Sequence, residues 1–196
     1  IASQLGISTT PVREAIDRLA EKGLIKIELN DTGKQSIYRV FKITMPEVED
    51  LFFVRKAIEP ASAYYCAEHP WLIDLEKLED LARKFYSGYV LYDKTRDKSL
   101  LIKTTKLDRE FHKLIVNATN SKVLIETYKS IEKKLTYLTA VTGNEVSDYS
   151  VKNLVKIGHQ HVAISNAIKN GFTGEAKLLM NEHLNFCMNI NRKSFD

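Results

Sequence analysis

From Thr44 onward, the sequence is a succession of amphipathic helical segments separated by short breaks, and this feature constrains the fold most. Apolar residues recur every three to four positions within each segment, as on the buried face of a helix. Thr44 and Glu47 form a capping box at the start, and Pro60 is expected to kink the first helix. Helices of this length with short connections predict an antiparallel six-helix bundle. The predicted helices span about 44–68, 73–93, 97–118, 122–141, 149–169 and 174–192.

The first 42 residues have a different pattern, a helical stretch followed by alternating residues. Gly6 separates the end of one helix from a second helix, which Ser8 or Thr10 can cap and which ends near Lys22 and Gly23. LIKIEL and QSIYRVFKI then alternate around Asp-Thr-Gly, which predicts a β-hairpin. We therefore expect three regions: a small domain over 1–42, a linker with the start of a helix over 43–48, and a helical domain over 49–196. The fold class is mainly α, with a small β-hairpin.

Composition narrows the class of protein. Hydrophobic residues make up 44% and charged residues 28% of the 196 residues, which is typical of a folded, core-forming chain. No apolar run approaches the roughly 18 residues of a membrane span, and the start does not resemble a signal peptide. Cys66 and Cys187 are far apart and lie among apolar residues, so we interpret both as core residues of a protein from a reducing cytoplasm. The net charge of +4 permits nucleic-acid binding without establishing it.

The stretch ASQLGISTTPVREAI has the pattern of a helix-turn-helix. Ala2 is small where two helices would touch, and Gly6 suits the turn. Ile7, Val12, Ala15 and Ile16 have the spacing that would hold the second helix against the first. The start of that second helix would then face the DNA major groove. Its candidate DNA contacts are Ser8, Thr9, Thr10 and Arg13.

The hairpin that follows would be the wing of a winged helix-turn-helix. Gly33 would let the backbone approach the duplex closely, and Lys34 would meet phosphates. Regulators of this type read pseudo-palindromic operators in double-stranded DNA as dimers, so we expect a homodimer. The apolar residues Phe52, Phe53, Tyr64 and Tyr65 are candidates either for a dimer interface or for the core.

Three of the predicted helices each direct a metal-ligand type of residue to their apolar face. Asp108 and His112 are four residues apart on one helix, beside Leu101, Thr105 and Ile115. His161 and His183 lie on the apolar stripes of the last two helices. One carboxylate and three imidazoles suit a divalent transition metal such as Zn²⁺, Ni²⁺ or Mn²⁺. His69 and His159 fall on other faces and are not expected to be ligands.

The N-terminal segment resembles the second half of the DNA-binding domain of the GntR superfamily, most specifically in TPVREAIDRL followed by EKGLI. Members usually carry a further helix before this point, so the resemblance implies an N-terminally incomplete domain. Members also commonly have Arg before the Thr-Pro pair, where this chain has Thr9. That difference implies another operator preference.

Residues 45 to about 192 resemble the FadR-type (FCD) ligand-binding domain of the same superfamily. The matching segments are VRKAIEPASAYYCAE, LDREFHKLIVNATNSKVL and HVAISNAIKNGFTGEAKLLMNEHL. The resemblance implies that Asp108, His112, His161 and His183 bind a metal whose coordination a small carboxylate effector completes. Arg55 matches the VRKAIE form of the family. It is either a clamp for the effector carboxylate or the partner of Glu59 in an ion pair.

The resulting hypothesis is a transcription regulator whose operator affinity is controlled by a small carboxylate at the metal site. The alternatives are a metal-dependent enzyme and a regulator whose metal is purely structural. The sequence contains no HExxH motif, glycine-rich phosphate loop or nucleophile elbow, so we do not expect an enzyme.

Overall fold

The computed structural model describes residues 1–21, 25–34, 36–40, 43–144 and 151–195. The chain divides into two compact units, Ile1–Thr44 and Met45–Asp196. In the described residues, the smaller unit contains two helices and two strands, and the larger contains six long helices.

The smaller unit begins with α1 (Ala2–Leu5) and α2 (Thr9–Glu21). Between them, Gly6 adopts a left-handed conformation with φ of 66°, and its N–H donates to the carbonyls of the preceding turn. Glycine adopts this conformation readily because it has no Cβ atom, and the conformation ends one helix and redirects the chain. The expected end of α2 at Lys22 and Gly23 lies outside the described residues.

The predicted hairpin is present as strands β1 (Ile25–Leu29) and β2 (Ser36–Val40), which pair antiparallel with Leu29 opposite Ser36. In the loop, the Asn30 side chain accepts hydrogen bonds from the Thr32 hydroxyl at 2.9 Å and the Lys34 backbone N–H at 3.0 Å. Gly33 has a φ of 68°. The Asn30 side chain thus holds the turn together from inside the loop.

The packing of α2 differs from the sequence prediction. Val12 and Ile16 are half-buried, as expected, but Ala15 is exposed and Ile7 is 49% exposed. In the described residues, α2 packs chiefly against strand β1.

The larger unit consists of the six predicted helices. Their ends agree with the sequence prediction to within a few residues, and α3 continues through Pro60. A short 3₁₀ turn, Pro70–Leu72, follows α3. The helices are α3 (Met45–Glu68), α4 (Leu75–Thr95), α5 (Ser99–Ala118), α6 (Lys122–Asn144), α7 (Val151–Lys169) and α8 (Thr173–Phe195).

The most extensive helix packing in the described part of the larger unit pairs α3 with α8, and α4 with both α5 and α7. Gly158 permits one of these approaches, because a Cβ atom placed there would lie 2.9 Å from the Tyr86 Cα of α4. The left-handed residues Asn120 and Gly171 lie at the breaks before α6 and α8. No helix in the described part of the chain is both long enough and apolar enough to span a membrane.

Candidate metal centre and adjoining cavity

The four residues predicted to bind a metal come together in the larger unit. Asp108 and His112 lie on α5, His161 on α7 and His183 on α8, and one potential ligand atom of each lies within 4.8 Å of the others. The three histidines are no more than 1% exposed, whereas the Asp108 side chain is 21% exposed. The cluster is therefore buried on its histidine side and reaches solvent through the carboxylate.

The ring nitrogens nearest to one another are all Nε2. His183 Nε2 lies 3.3 Å from His112 Nε2. Asp108 Oδ1 lies 3.2 Å from His161 Nε2 and 3.6 Å from His112 Nε2. Three imidazole nitrogens and one carboxylate oxygen thus surround a common point.

Each histidine has a contact for its other nitrogen, Nδ1, outside the cluster. His161 Nδ1 lies 2.9 Å from the Ile157 carbonyl oxygen, and His183 Nδ1 lies 3.2 Å from Gln160 Oε1. Glu59 Oε2 lies 2.6 Å from His112 Nδ1, an ion-pair distance at which the two groups are not aligned as a hydrogen bond. We assign the proton to Nδ1 in each ring, which directs the three Nε2 lone pairs inward, as in protein metal sites.

This arrangement fits a bound cation. His161 Nε2 is buried and has no hydrogen-bond partner among the described residues. With the protons on Nδ1, the Nε2 lone pairs of His112 and His183 face each other at 3.3 Å and repel unless a proton or a metal ion lies between them. The set of donors, three imidazoles and one carboxylate, suits a divalent transition metal such as Zn²⁺, Ni²⁺ or Mn²⁺.

The pKa values of two of the three histidines agree with a role as metal ligands. Burial lowers the pKa of His161, and it lowers the pKa of His183 far below the usual range, so both rings are neutral near pH 7, as metal ligands must be. Burial also opposes the charge on His112, but Glu59 and Asp108 outweigh it and raise its pKa. In the free site, a proton on His112 would therefore play the role of the cation, and a metal would displace it.

Arg55 and Glu59, four residues apart on α3, form a buried ion pair, with Arg55 Nε donating to Glu59 Oε1 at 2.6 Å. Burial opposes the ionisation of Glu59, but Arg55 and His112 outweigh it and lower its pKa to about 2. The ion-pair alternative for Arg55 is thus present in the structure. Arg55 also lines the cavity described next, where a ligand could contact it.

A cavity of about 120 Å³ adjoins the histidine cluster. It shares Asp108 and His183 with the cluster, so a ligand in the cavity would reach the same point as the Nε2 atoms. Its polar lining includes Arg55 and Arg109, and Arg109 has no ion-pair partner among the described residues. The remaining lining residues are Phe52, Phe85, Tyr89, Thr105, Tyr128, Leu135, Leu138, Leu154, Ile157, Cys187, Ile190 and Asn191.

The sequence interpretation assigned no site role to Glu59, Gln160 or Arg109. Glu59 was expected only as a possible partner of Arg55, and it also lies beside His112 of α5. Gln160 directly precedes His161 and yet contacts His183, which belongs to another helix. Arg109 directly follows Asp108, and this adjacency was the sequence feature that could have indicated its place in the cavity lining.

The other histidines and the cysteines lie outside the cluster. His69 stacks on Tyr65 with ring centres 4.3 Å apart, and His159 packs against Tyr86 at 4.5 Å. Cys66 is buried, as expected for a core residue. Cys187 differs, because it lines the cavity and its Sγ lies 3.7 Å from His183 Nε2.

The candidate DNA-contacting residues are all exposed on the smaller unit. Ser8, Thr9, Thr10 and Arg13 cluster at the start of α2, and Gly33 and Lys34 lie in the hairpin loop. The candidates for a dimer interface divide between surface and core. Phe53 is 76% and Tyr64 38% exposed, Tyr65 is half-buried, and Phe52 is a core residue at 2%.

The FCD domain family matches residues 50–186, which contain all four clustered residues. The chain belongs to this family. The repressor RspR of Escherichia coli K12 is 24% identical over 184 residues, which cover 94% of this chain and 73% of RspR. Among solved structures, Escherichia coli McbR/YncC has a TM-score of 0.70 at 18% identity. The match covers all of this chain and 85% of the McbR/YncC chain.

A structure of the metal-free FCD domain of another transcription regulator has a TM-score of 0.50 at 15% identity, over 79% of this chain and 96% of that one. These comparisons confirm the predicted membership in the FCD branch of the GntR superfamily and the mainly helical fold. The match to the FCD family, together with regulator relatives such as RspR, identifies this protein as a transcription regulator of the GntR/FCD type, not an enzyme.

Proposed function

We propose that this FCD protein binds operator DNA as a homodimer through its smaller unit, and that a carboxylate effector bound at a metal in the FCD domain changes the operator affinity. The observation that carries the proposal is the convergence of three buried Nε2 atoms and the Asp108 carboxylate beside a cavity. Membership in the FCD family supports the role of transcription regulator. The geometry of the cluster and the cavity supports the binding of a metal ion and of an effector.

The ligands of the proposed metal are Asp108, His112, His161 and His183. Their support is the inward lone pairs, the unpartnered His161 Nε2 and the contacts of all three Nδ1 atoms outside the cluster. A bound Zn²⁺, Ni²⁺ or Mn²⁺ would offer an effector carboxylate a Lewis-acidic point of attachment.

The effector would lie in the cavity, with its carboxylate toward Asp108 and His183. Arg55 contributes positive charge there, but its Nε is committed to Glu59 at 2.6 Å. Arg109 forms no such ion pair among the described residues, so its guanidinium group is the one available to hold the effector anion, with Arg55 adding positive charge nearby.

The DNA-binding surface would consist of Ser8, Thr9, Thr10 and Arg13 at the start of α2, with Gly33 and Lys34 in the wing. Their support is their exposure, together with the helix–turn–helix and hairpin elements that carry them. The start of a recognition helix enters the major groove in regulators of this type, and a lysine in the wing meets phosphates.

The metal is tested first by mass spectrometry of purified protein, alone and after reconstitution with Zn²⁺, Ni²⁺ or Mn²⁺. We expect near-stoichiometric metal in the wild type and its loss in a His112→Ala, His161→Ala double variant. His159→Ala is the matched control, because His159 is an exposed histidine on the same helix as His161. Retention of metal by the double variant would refute the assigned ligands.

Regulation is tested by fluorescence anisotropy, on duplex DNA enriched from a random library by the metal-loaded protein. Acetate, butanoate, hexanoate and benzoate are added in turn. A coupling of about 1–3 kcal/mol corresponds to a roughly 5- to 150-fold change in DNA affinity. We expect such a change for at least one carboxylate, and none in the double variant. A purely structural metal would instead give a bundle that unfolds on chelation and DNA binding that no carboxylate alters.

A further inference from the structure

The cavity beside the candidate metal centre extends along the bundle. On α7, Ile157 and Leu154 lie four and seven residues before His161, and on α8, Cys187 and Ile190 lie four and seven residues after His183. Residues at these spacings share one helix face. At about 1.5 Å per residue, seven residues correspond to roughly 10 Å. The cavity therefore continues for about two helical turns beyond the histidines.

The charged lining residues are at the histidine end of the cavity. Asp108 is itself part of the cluster, Arg109 is adjacent to it in sequence, and Arg55 lies one turn from Glu59, which contacts His112. Leu154 and Ile190, two turns from the histidines, are hydrocarbon, and so are the lining residues Leu135 and Leu138 of α6. We call the region that these four residues line the apolar chamber.

Polar side chains near the apolar chamber are bonded to the protein itself. The Thr105 hydroxyl donates to the Ile102 carbonyl at 2.9 Å, and the Asn191 side-chain nitrogen donates to the Cys187 carbonyl at 2.8 Å. Neither of these groups is a cation, so a second anionic group at this end would have no charged partner among the described lining residues.

We propose that the effector is an amphiphilic monocarboxylate, with its carboxylate at the metal end and an alkyl or aryl tail in the apolar chamber. This proposal rests on the metal-dependent carboxylate binding proposed above and adds the class of ligand. The cavity volume of about 120 Å³ limits the size of the whole ligand, carboxylate included. An apolar protein cavity of roughly 150 Å³ holds benzene, so the ligand corresponds to about six carbons in all.

The test is a calorimetric titration of the metal-loaded protein with acetate, butanoate, hexanoate, octanoate and adipate. Burial of a methylene group strengthens binding by roughly fourfold. We therefore expect affinity to rise by about this factor per methylene from acetate to hexanoate. Adipate has the length of hexanoate but carries a second carboxylate, which would enter the apolar chamber unpaired. It should bind at least about tenfold more weakly than hexanoate.

A pair of variants locates the tail. Leu138→Ala enlarges the apolar chamber, so the tightest-binding chain should become longer by one or two methylenes while the affinity for acetate stays the same. Leu81→Ala is the control, because Leu81 is also buried at 4% exposure but does not line the cavity. It should leave the chain-length preference unchanged.

The possible outcomes separate this inference from the proposed function. Hexanoate that binds no more tightly than acetate, or adipate that binds more tightly than hexanoate, would overturn the amphiphilic ligand and leave metal-dependent carboxylate binding intact. Absence of binding by every carboxylate would overturn both. Binding that rises with chain length in the wild type, shifts in Leu138→Ala and disappears in His112→Ala would support both.

Discussion

Replacing Glu59 by Gln should weaken both the folded state and the metal site. Glu59 is fully buried on α3 and contacts two groups, the Arg55 guanidinium and the His112 ring. Gln has nearly the same shape but no charge. The substitution therefore leaves Arg55 as a buried cation without its counter-ion, and it removes the anion that orients His112.

The size of the effect follows from this burial. Removing one partner of a buried ion pair typically costs about 3–5 kcal/mol, because the remaining charge stays desolvated. The lowered pKa of Glu59, about 2, has the same sign, because Arg55 and His112 stabilise the charged carboxylate. Loss of an outer partner of a metal-bound histidine typically weakens metal binding by about 10- to 100-fold.

The assay is urea denaturation at pH 7 of metal-free protein, together with competition for metal against a chelator. Glu59→Gln, Arg55→Met and the double variant form a cycle. The double variant should be less destabilised than the sum of the single variants, because it leaves no unpaired charge. A cost below about 1 kcal/mol for Glu59→Gln, with metal affinity unchanged, would refute the bridging role of Glu59.

Three further predictions follow from single contacts. Gln160→Ala should weaken metal binding by about 10-fold or more in chelator competition, because His183 loses its Nδ1 partner, whereas His159→Ala, one residue away and exposed, should not. Gly158→Ala should lower the free energy of unfolding by roughly 1–3 kcal/mol in urea, since its Cβ would meet Tyr86, while Gly174→Ala has open space and should be neutral or stabilising. Cys66 should resist alkylation in the folded protein and react in urea, because burial raises its pKa to about 12; rapid reaction of the native thiol would contradict this.

Helical periodicity predicted the bundle well, because long amphipathic segments leave few alternatives. Each predicted helix of the larger unit is present, and Asp108 and His112 share a face of α5 as their spacing requires. The ligand cluster was predictable for a related reason. A histidine on an apolar stripe has to be buried, and three such stripes in one bundle meet in one core.

The outer contacts of the cluster were not predictable in this way. Glu59 meets His112 across the interface between α3 and α5, and Gln160 meets His183 across that between α7 and α8. Periodicity shows which face of a helix is buried, but not the register between two helices. A displacement of one turn, about 5 Å, would pair either side chain with a different neighbour.

In the smaller unit, too, local sequence patterns predicted the elements but not how they pack on one another. The helix, the turn at Gly6 and the hairpin follow from residues whose preferences are local. The exposure of Ile7 and Ala15 does not, because it depends on how much surface another element covers. Spacing identified a candidate contact face on α2 and could not establish that all of it is covered.

Helix α3 contributes residues both to the surroundings of the candidate metal centre and to the lining of the cavity. Its Glu59 contacts the candidate ligand His112, and its Arg55 and Phe52 line the cavity. The same helix begins at Met45, directly after the unit that carries the candidate DNA contacts. A ligand that draws on Arg55 competes with Glu59 for the same guanidinium, and Glu59 in turn holds His112. Occupancy of the cavity and of the metal site would thus act on one helix, which a coupling between effector and operator requires.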